Sequence, residues 1–215
     1  MKVLVVGDIH GKFRLFSNFL ENKEYDYIFS CGDFGYWPEH INICEELKLP
    51  ENTKLYFCDG NHENHDTLKK LSNNEICKNV FYMNRGSILT INNTNILFFG
   101  GANSIDYKYR THGYDWFPEE NISEKDINNL PNNTNIDIVI SHTCPLETKL
   151  PIFTFTDKRT DSNRNYLSYI LNKYKPNLWF FGHWHERLTS SYNNTIFYGL
   201  NKIDDFGWYK EINIE

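Results

Sequence analysis

The chain has 215 residues, a hydrophobic content of 40% and a formal net charge of −6 at pH 7. This length can bury a substantial core, and we predict one domain spanning residues 1–215. The negative charge argues against a protein that binds duplex nucleic acid through a broad basic face. The five cysteines are odd in number and widely spaced, and the apolar N-terminal run is too short for a signal peptide or a membrane span. We therefore expect a cytoplasmic protein that has no membrane partner.

Strand-like and helix-like patterns alternate along the first part of the chain. The predicted order is strand 2–6, helix 13–21, strand 26–30, helix 39–47, strand 54–58 and helix 66–71. Such alternation indicates an α/β layered domain with a largely parallel sheet.

The pattern changes after Asn79. We predict a β-hairpin from strands 87–91 and 95–99, followed by a long ordered loop over 101–120. A Ser-x-x-Asp relative of the capping box opens a short helix over 123–130. The remaining predicted elements are strand 136–140, helix 163–174, strand 177–181 and closing strands at 187–192, 195–198 and 208–214.

Five of the predicted strands are followed by Asp, Asn or His, usually beside a glycine. These polar residues are Asp8, His10, Asp33, Asn61, His142, His183 and His185. Ligands of open α/β sheets bind beyond the carboxyl ends of the strands, so we expect the seven side chains to converge. In an extended segment, residues two apart point to the same side, which would let each close pair, Asp8 with His10 and His183 with His185, bind a single ion.

This set of side chains indicates a metal centre. Four imidazoles, two carboxylates and one amide oxygen are too many ligands for one tetrahedral ion, and they suit two divalent ions that share a carboxylate. Mixed nitrogen and oxygen ligands favour Mn²⁺ or Fe, with Zn²⁺, Co²⁺ and Mg²⁺ as alternatives. Two such ions about 3.5–4 Å apart generate hydroxide near neutral pH and hold the oxygens of an in-line displacement, as phosphoryl hydrolysis requires.

The same residues form five blocks that resemble the calcineurin-like metallophosphoesterase superfamily. In chain order the blocks are Asp8-x-His10, Gly32-Asp33, Gly60-Asn61-His62-Glu63, His142 and Gly182-His183-x-His185. Segments 83–86, 100–102 and 116–120 also look like those of small bacterial and phage members. This resemblance implies a layered sandwich of two mixed β-sheets flanked by helices. It also implies a metal-dependent hydrolase of phosphate esters with a two-metal centre and a bridging hydroxide nucleophile.

The resemblance further implies a role for each motif residue. The first metal would be held by Asp8, His10 and His185, the second by Asn61, His142 and His183, and Asp33 would bridge the two beside the hydroxide. His62 would lie over the substrate, stabilise phosphoryl charge and protonate the leaving oxygen. Asn61 and His62 would thus contact the substrate, and Asp33 and His62 would be the catalytic residues.

The chain departs from the phosphoprotein phosphatases of this superfamily after the second block. Those enzymes carry an arginine in the pattern GDxxDRG, whereas residues 32–38 here read GDFGYWP. A cation that binds phosphate must then come from elsewhere, and Arg85 and Arg110 are the candidates, although a turn or surface role fits each equally well. The aromatic residues favour a substrate with a flat or apolar group, such as a nucleotide, over a phosphoprotein.

We therefore expect a small-molecule phosphate ester or a nucleotide as substrate, with monoester and diester both open. The alternatives are a non-catalytic binding module of the same fold, a phosphoprotein phosphatase, and a DNA-processing nuclease, which would normally bring the basic channel that this acidic chain does not show. Loops 101–120 and 145–161 are expected to set specificity. Asp59 and Glu63, which flank Asn61, are expected to support it through hydrogen bonds or to serve the turn.

Overall fold

The computed structural model describes residues 1–150 and 161–215. Residues 151–160, most of the predicted specificity loop 145–161, lie outside the described part. The strands are β1 Lys2–Val6, β2 Tyr27–Ser30, β3 Lys54–Phe57, β4 Glu75–Cys77, β5 Val80–Tyr82, β6 Ser87–Ile91, β7 Thr94–Phe99, β8 Ile138–Ser141, β9 Leu178–Phe181, β10 Leu188–Tyr192, β11 Thr195–Gly199 and β12 Tyr209–Asn213. The α-helices are α1 Phe13–Leu20, α2 Ile43–Glu46, α3 His65–Leu68, α4 Glu124–Asn128 and α5 Ser162–Tyr174.

The strands form two six-stranded sheets, in the orders β12-β1-β2-β3-β5-β4 and β10-β11-β9-β8-β7-β6. In the first sheet β1, β2, β3 and β5 are parallel, and β4 and β12 pair antiparallel at the two edges. In the second sheet β7, β8, β9 and β11 are parallel, with antiparallel β6 and β10 at the edges. The predicted sandwich of two mixed sheets is confirmed, and the one largely parallel sheet expected from the alternation alone is replaced by two.

The two sheets pack face to face over an apolar core. Inward-facing side chains of the first sheet, such as Val5 and Phe29, meet those of the second, such as Phe98, Ile140 and Phe180, and all five are fully buried. Because these strands are covered on both faces, they read as continuous apolar runs rather than as alternating ones.

Helices cover the outer faces of the sandwich. Phe13, Phe16 and Leu20 of α1 are buried against the first sheet, and Leu167 and Ile170 of α5 are buried against the second. Ser123 and Asp126 form a full capping box at the start of α4, as the sequence predicts. Among the helices of the described residues, none combines the length and apolarity needed to cross a membrane.

Two short strands and one helix differ from the sequence predictions. Strands β4 and β5 had no predicted counterpart, because each has only three residues and a Lys-Asn turn separates them, which leaves no alternation to read. Helix α2 covers four residues instead of the predicted 39–47, since residues 38–40 form a turn before it. Neither difference affects the five strands that precede the predicted metal ligands.

Candidate metal centre

The polar residues that follow five strands meet at one end of the sandwich, where the carboxyl ends of strands from both sheets come together. Asp8, His10 and His185 each offer an atom within 4.8 Å of the other two, and Asp8, Asp33 and His142 form a second such group. The shortest approaches are His185 Nε2 to Asp8 Oδ2 at 3.0 Å and His142 Nε2 to Asp33 Oδ1 at 3.2 Å. The convergence predicted for the strand ends is therefore present, and it draws on both sheets.

The two remaining predicted ligands join the second group. Asn61 Oδ1 lies 3.1 Å from His142 Nε2. The ring of His183 packs against that of His142, with 4.9 Å between centroids. The structure thus places all seven predicted ligands in one cluster, in which Asp8, Asp33, Asn61 and His142 are buried.

Four of the seven predicted ligands adopt left-handed backbone conformations. The φ angles are 50° at His10, 43° at Asp33, 66° at His183 and 48° at His185. Such angles are uncommon outside glycine, cost free energy, and persist where the surrounding structure enforces them, often at functional sites. Their presence on these residues is consistent with a functional role for the cluster.

This backbone geometry corrects the expected role of one close pair. His183 and His185 do not lie in an extended segment, and their side chains separate: His185 Nε2 lies 3.2 Å from His10 Nε2, whereas His183 packs on His142. The prediction from spacing alone, that this pair binds one ion, is therefore wrong. Asp8 and His10 do remain in one group.

Two glycines allow the backbone to approach the carboxylates. A Cβ atom on Gly182 would lie 2.0 Å from Asp8 Oδ1, and a Cβ atom on Gly60 would lie 2.2 Å from Asp33 Oδ1. Any larger residue would push the carboxylate out of the cluster. The glycines beside the polar strand ends are therefore required by close packing.

Backbone groups fix the orientation of the clustered side chains. The amide of His183 donates to both carboxylate oxygens of Asp8 at 3.1 Å, and the amide of His62 donates to Asp33 Oδ1 at 2.8 Å. His142 Nδ1 lies 2.8 Å from the carbonyl oxygen of Cys31, so Nδ1 carries the hydrogen and Nε2 faces the cluster. A histidine held in this way directs Nε2 at a cation, which can bind there once that nitrogen has lost its proton.

Glu63 ties two of the motif loops together. Its carboxylate accepts hydrogen bonds from the amides of Phe34 at 2.6 Å, Gly35 at 3.2 Å and Gly60 at 2.9 Å. The side chain is fully buried, and burial together with the charge of Asp33 raises the pKa of Glu63 to about 8. The supporting role expected for Glu63 is what the contacts show.

Asp33 and His142 are electrostatically coupled. Burial alone would raise the pKa of Asp33, but the imidazoles of His142, His62 and His10 outweigh it and hold that pKa well below its usual value. Burial opposes protonation of His142, yet Asp33 raises the pKa of His142 to about 10. In the metal-free protein at neutral pH the pair is an imidazolium and a carboxylate.

Two further histidines near this pair, His183 and His62, are neutral at the same pH. Burial and the neighbouring His142 lower the pKa of His183 to about 3. Burial also lowers the pKa of His62, an effect that Asp33 opposes and Arg110 reinforces. His183 is therefore ready to bind a cation without releasing a proton.

Of the two candidate arginines, Arg110 lies beside the cluster. Its Nη2 is 3.1 Å from His62 Nε2 and its Nη1 is 3.5 Å from His62 Nδ1. An ion pair with Asp106 at 2.8 Å and a contact of 3.5 Å to the carbonyl of Asp115 hold the guanidinium within its own loop. His62 in turn lies next to His10, with 5.1 Å between ring centroids. Arg110 and His62 thus share one face of the site.

The structure does not bring Arg85 to the cluster. Its guanidinium pairs with the buried carboxylate of Asp59 at 2.5 Å and with Asp126 at 3.2 Å. It also donates to the carbonyl oxygens of Glu119 at 2.8 Å, Glu120 at 3.1 Å and Asn121 at 2.8 Å. All of its terminal nitrogens have protein acceptors, so its contacts hold the end of the long loop.

The aromatic residues in place of the phosphatase arginine pack inside the protein. Phe34 is fully buried, Tyr36 is 7% exposed, and the indole of Trp37 donates to the carbonyl of His62 at 3.0 Å. Because Phe34 and Tyr36 are buried, they do not offer a surface on which a flat substrate could pack. Tyr107, Tyr109 and Tyr114 of the loop that carries Arg110 are exposed instead.

Sequence analysis missed two residues that contact the site. Ser104 Oγ lies 3.2 Å from Asn61 Nδ2, and Glu120 accepts hydrogen bonds from the hydroxyl and the amide of Ser104, both at 2.7 Å. Ser104 follows β7, a parallel strand like the five that carry the predicted ligands. The same strand-end signal could therefore have found it.

The residues present suit divalent metal ions. Imidazole nitrogens, carboxylate oxygens and one amide oxygen converge here, and such a mixed set of ligands binds divalent transition metals. His10 Nε2 and His185 Nε2 lie 3.2 Å apart, so a cation or a proton must be shared between them.

A family model described as calcineurin-like phosphoesterase matches residues 1–187. The chain belongs to this family. Family membership and the clusters above identify it, in general terms, as a metal-dependent phosphoesterase.

Solved structures share the fold at low sequence identity. The phosphopantetheinyl hydrolase of Mycobacterium tuberculosis matches with a TM-score of 0.55 and 13% identity over 100% of this chain and 96% of that one. The protein TT1561 of Thermus thermophilus matches with a TM-score of 0.54 and 11% identity over 94% and 89%. GAP50 of Plasmodium, described as the anchor in the inner membrane complex, matches with a TM-score of 0.51 and 14% identity over 93% and 70%. These similarities show the fold alone, and a comparison with curated proteins gave no match.

Proposed function

We propose that the protein hydrolyses phosphate esters of small molecules or nucleotides at a centre of two divalent metal ions. The observation that carries this proposal is the convergence of seven ligand side chains, in which the buried carboxylates of Asp8 and Asp33 face imidazoles from the other strand ends. Gathering two buried carboxylates with imidazoles in this way is costly even when they are paired, and a functional cation explains the presence of the cluster.

The contacts support a division of the ligands between two ions. Asp8, His10 and His185 would hold one ion, Asn61, His142 and His183 would hold the other, and Asp33 would lie between them. Such a centre supplies a hydroxide nucleophile near neutral pH and neutralises charge on the phosphoryl group. The number of imidazoles favours Mn²⁺ or Fe over Mg²⁺, with Zn²⁺ and Co²⁺ as further candidates.

His62 is the proposed general acid. Its amide is tied to Asp33 at 2.8 Å, which keeps its ring beside the ligands. A phosphoryl group between the ions and His62 would favour the imidazolium form, because negative charge raises the pKa of a nearby histidine. The imidazolium would then protonate the leaving oxygen.

Arg110 is the proposed phosphate-binding cation. Its guanidinium lies on the same face as His62 and keeps two terminal nitrogens toward that ring. A planar guanidinium can bind two phosphoryl oxygens at once, which suits this position. Arg85, with its nitrogens directed to Asp59 and to backbone carbonyls, is assigned to the support of the loop instead.

The substrate class is inferred from the loop around Arg110. Three exposed tyrosines of this loop offer aromatic faces on which a nucleobase or another flat group can pack: Tyr107, Tyr109 and Tyr114. A folded phosphoprotein would need a broader apolar or charged surface, so we favour a small ester. Monoester and diester both remain compatible with this arrangement.

A turnover assay tests the proposal. Metal-free protein is measured on a generic phosphomonoester and a generic phosphodiester, with and without Mn²⁺, Fe²⁺, Zn²⁺, Co²⁺ and Mg²⁺. Metal-dependent turnover of at least one ester supports the proposal, and absence of turnover with every metal and both esters overturns it. In that second case a non-catalytic binding module of the same fold becomes the better assignment.

A further inference from the structure

Asn61 can bind a metal ion only if the oxygen of its side-chain amide faces the cluster. An asparagine amide carries an oxygen on one side and an NH₂ group on the other, and only the oxygen binds a cation. In the structure Oδ1 lies 3.1 Å from His142 Nε2, and Nδ2 donates to Ser104 Oγ at 3.2 Å. Two contacts therefore fix which end of the amide faces the cluster: the protonated Nε2 of His142 selects the oxygen in the metal-free protein, and Ser104 holds Nδ2 away from the cluster.

Ser104 can accept this hydrogen bond because its own proton is committed elsewhere. The hydroxyl donates to Glu120 Oε2 at 2.7 Å, and the amide of Ser104 donates to Glu120 Oε1 at 2.7 Å. Both oxygens of Glu120 accept in these two contacts, so the single hydroxyl proton of Ser104 points to Glu120. Ser104 Oγ can then accept the hydrogen bond from Asn61 Nδ2. Asn61 therefore donates to Ser104, and Ser104 donates to Glu120.

Water is excluded from this chain of hydrogen bonds. Asn61 is 6% exposed, Ser104 is 2% exposed and Glu120 is fully buried. Because a buried polar group that loses its partner is costly, each member of such a chain fixes the next. The main chain of Glu120 is itself held, since its backbone carbonyl accepts from the amide of Ala102 at 3.0 Å and from Arg85 Nη2 at 3.1 Å.

We propose that Ser104 and Glu120 are positioning residues that turn the amide oxygen of Asn61 toward the metal centre. The inference rests on the proposed function, because it assigns Asn61 to one of the two metal ions. It gives a reason for burying the carboxylate of Glu120, whose two oxygens both serve Ser104. It also makes the long loop 101–120 a part of the metal centre as well as the carrier of Arg110.

The first test measures metal binding without substrate. Metal-free protein is titrated with Mn²⁺ by calorimetry, for the parent protein and for Ser104→Ala, Ser104→Thr and Glu120→Gln. Changes to groups that orient a ligand typically lower metal affinity about 10- to 100-fold. We expect such a loss in one of two binding steps for Ser104→Ala and Glu120→Gln, and recovery toward the parent in Ser104→Thr, which keeps a hydroxyl.

Ser168 offers a matched control. Its hydroxyl lies 2.7 Å from the carboxylate of Glu147 and accepts from the amide of Leu146 at 3.0 Å, an arrangement similar to that of Ser104. It belongs to α5, and within the described part of the chain it makes no hydrogen bond to the predicted ligands. Ser168→Ala should leave both binding steps unchanged. Equal affinities for Ser104→Ala and the parent would overturn the inference, as would equal losses for Ser104→Ala and Ser168→Ala.

A second test separates orientation of the amide from general support of the loop. In Asn61→Asp the side chain has two equivalent oxygens, so it no longer needs to be oriented. Ser104→Ala in this background should cost no Mn²⁺ affinity, whereas a purely structural role predicts the same loss in both backgrounds. If the parent protein binds no metal the proposed function fails together with the inference. If the parent binds two ions and Ser104→Ala lowers Mn²⁺ affinity equally in the parent and in the Asn61→Asp background, the inference alone fails.

Discussion

The imidazole of His62 and the guanidinium of Arg110 face each other, with 3.1 Å between His62 Nε2 and Arg110 Nη2. His62 is also tied through its amide to Asp33, and Arg110 is tied through Nε to Asp106. The two groups therefore belong to different parts of the chain and are held independently. An anionic oxygen that reaches both would be bound by the arginine and protonated by the histidine.

Replacing His62 should separate catalysis from metal binding. His62→Ala is expected to keep both metal ions and to lower kcat by about 10²- to 10⁴-fold, the usual contribution of a general acid. Metal content by elemental analysis and kcat on the preferred ester check this. His40→Ala, which changes an exposed histidine, should leave both quantities near the parent values. Loss of metal with retention of rate in His62→Ala would show that His62 is a ligand and not the acid.

Replacing Arg110 should weaken the binding of phosphate. A hydrogen bond to a charged group contributes about 1.5–3 kcal/mol, so Arg110→Gln should lower kcat/KM by about 10- to 100-fold. Asp106→Asn, which loosens the guanidinium, should have a smaller effect in the same direction. Arg14→Gln, at a side chain that is 81% exposed, is the matched control. Inhibition by inorganic phosphate should weaken in parallel, and an unchanged inhibition constant in Arg110→Gln would contradict the assignment.

Replacing Arg85 should lower the free energy of unfolding and should not weaken substrate binding directly. Arg85→Ala leaves the carboxylate of Asp59 buried without its partner, and breaking a buried ion pair in this way costs about 3–5 kcal/mol. Urea unfolding of the metal-free protein measures the change. Arg14→Ala breaks an exposed ion pair with Glu46 and should cost at most about 1 kcal/mol. If Arg85→Ala proved as stable as Arg14→Ala and lost kcat/KM, Arg85 would be a substrate residue after all.

Metal binding should release a proton from His142. The pKa of His142 is raised to about 10 by Asp33, so the imidazole is protonated at about pH 7.5 in the metal-free protein and must lose its proton to bind an ion. Calorimetric titration with Mn²⁺ in two buffers of different ionisation enthalpy should therefore give different apparent enthalpies. His142→Ala should reduce the difference by the proton that His142 releases, and a proton released by a metal-bound water is unaffected. His183→Ala should retain it, because the pKa of His183 is lowered to about 3 and its imidazole is already neutral. Identical enthalpies for the parent protein in both buffers would exclude this coupling.

Much of the fold and nearly all of the cluster could be predicted from the sequence. Runs such as 2–6 and 54–58 are apolar because their strands are covered on both faces, and each is followed by a polar residue that water or a cation must satisfy. This combination is visible without a structure. The three-residue strands β4 and β5 carry no such pattern, and only the pairing of β5 with β3 and of β4 with β5 defines them.

The details that sequence could not provide are those fixed by backbone geometry and by distant contacts. The left-handed conformations of His183 and His185 send their rings to different groups, which spacing along the chain cannot show. The roles of Arg85 and Arg110 depend on which carboxylate each one meets after folding, Asp59 or Asp106. The contact between Ser104 and Asn61 joins two loops that are 43 residues apart.

The number of metal ions per chain tests the central claim most directly. Metal-free protein is loaded with Mn²⁺, freed of excess ion by gel filtration and measured by elemental analysis, alongside Asp33→Asn, which weakens the proposed bridging ligand. We predict two Mn²⁺ ions per chain for the parent protein and fewer for Asp33→Asn. A parent protein that retains one Mn²⁺ ion or none, or an Asp33→Asn variant that retains as much metal as the parent, would contradict this prediction.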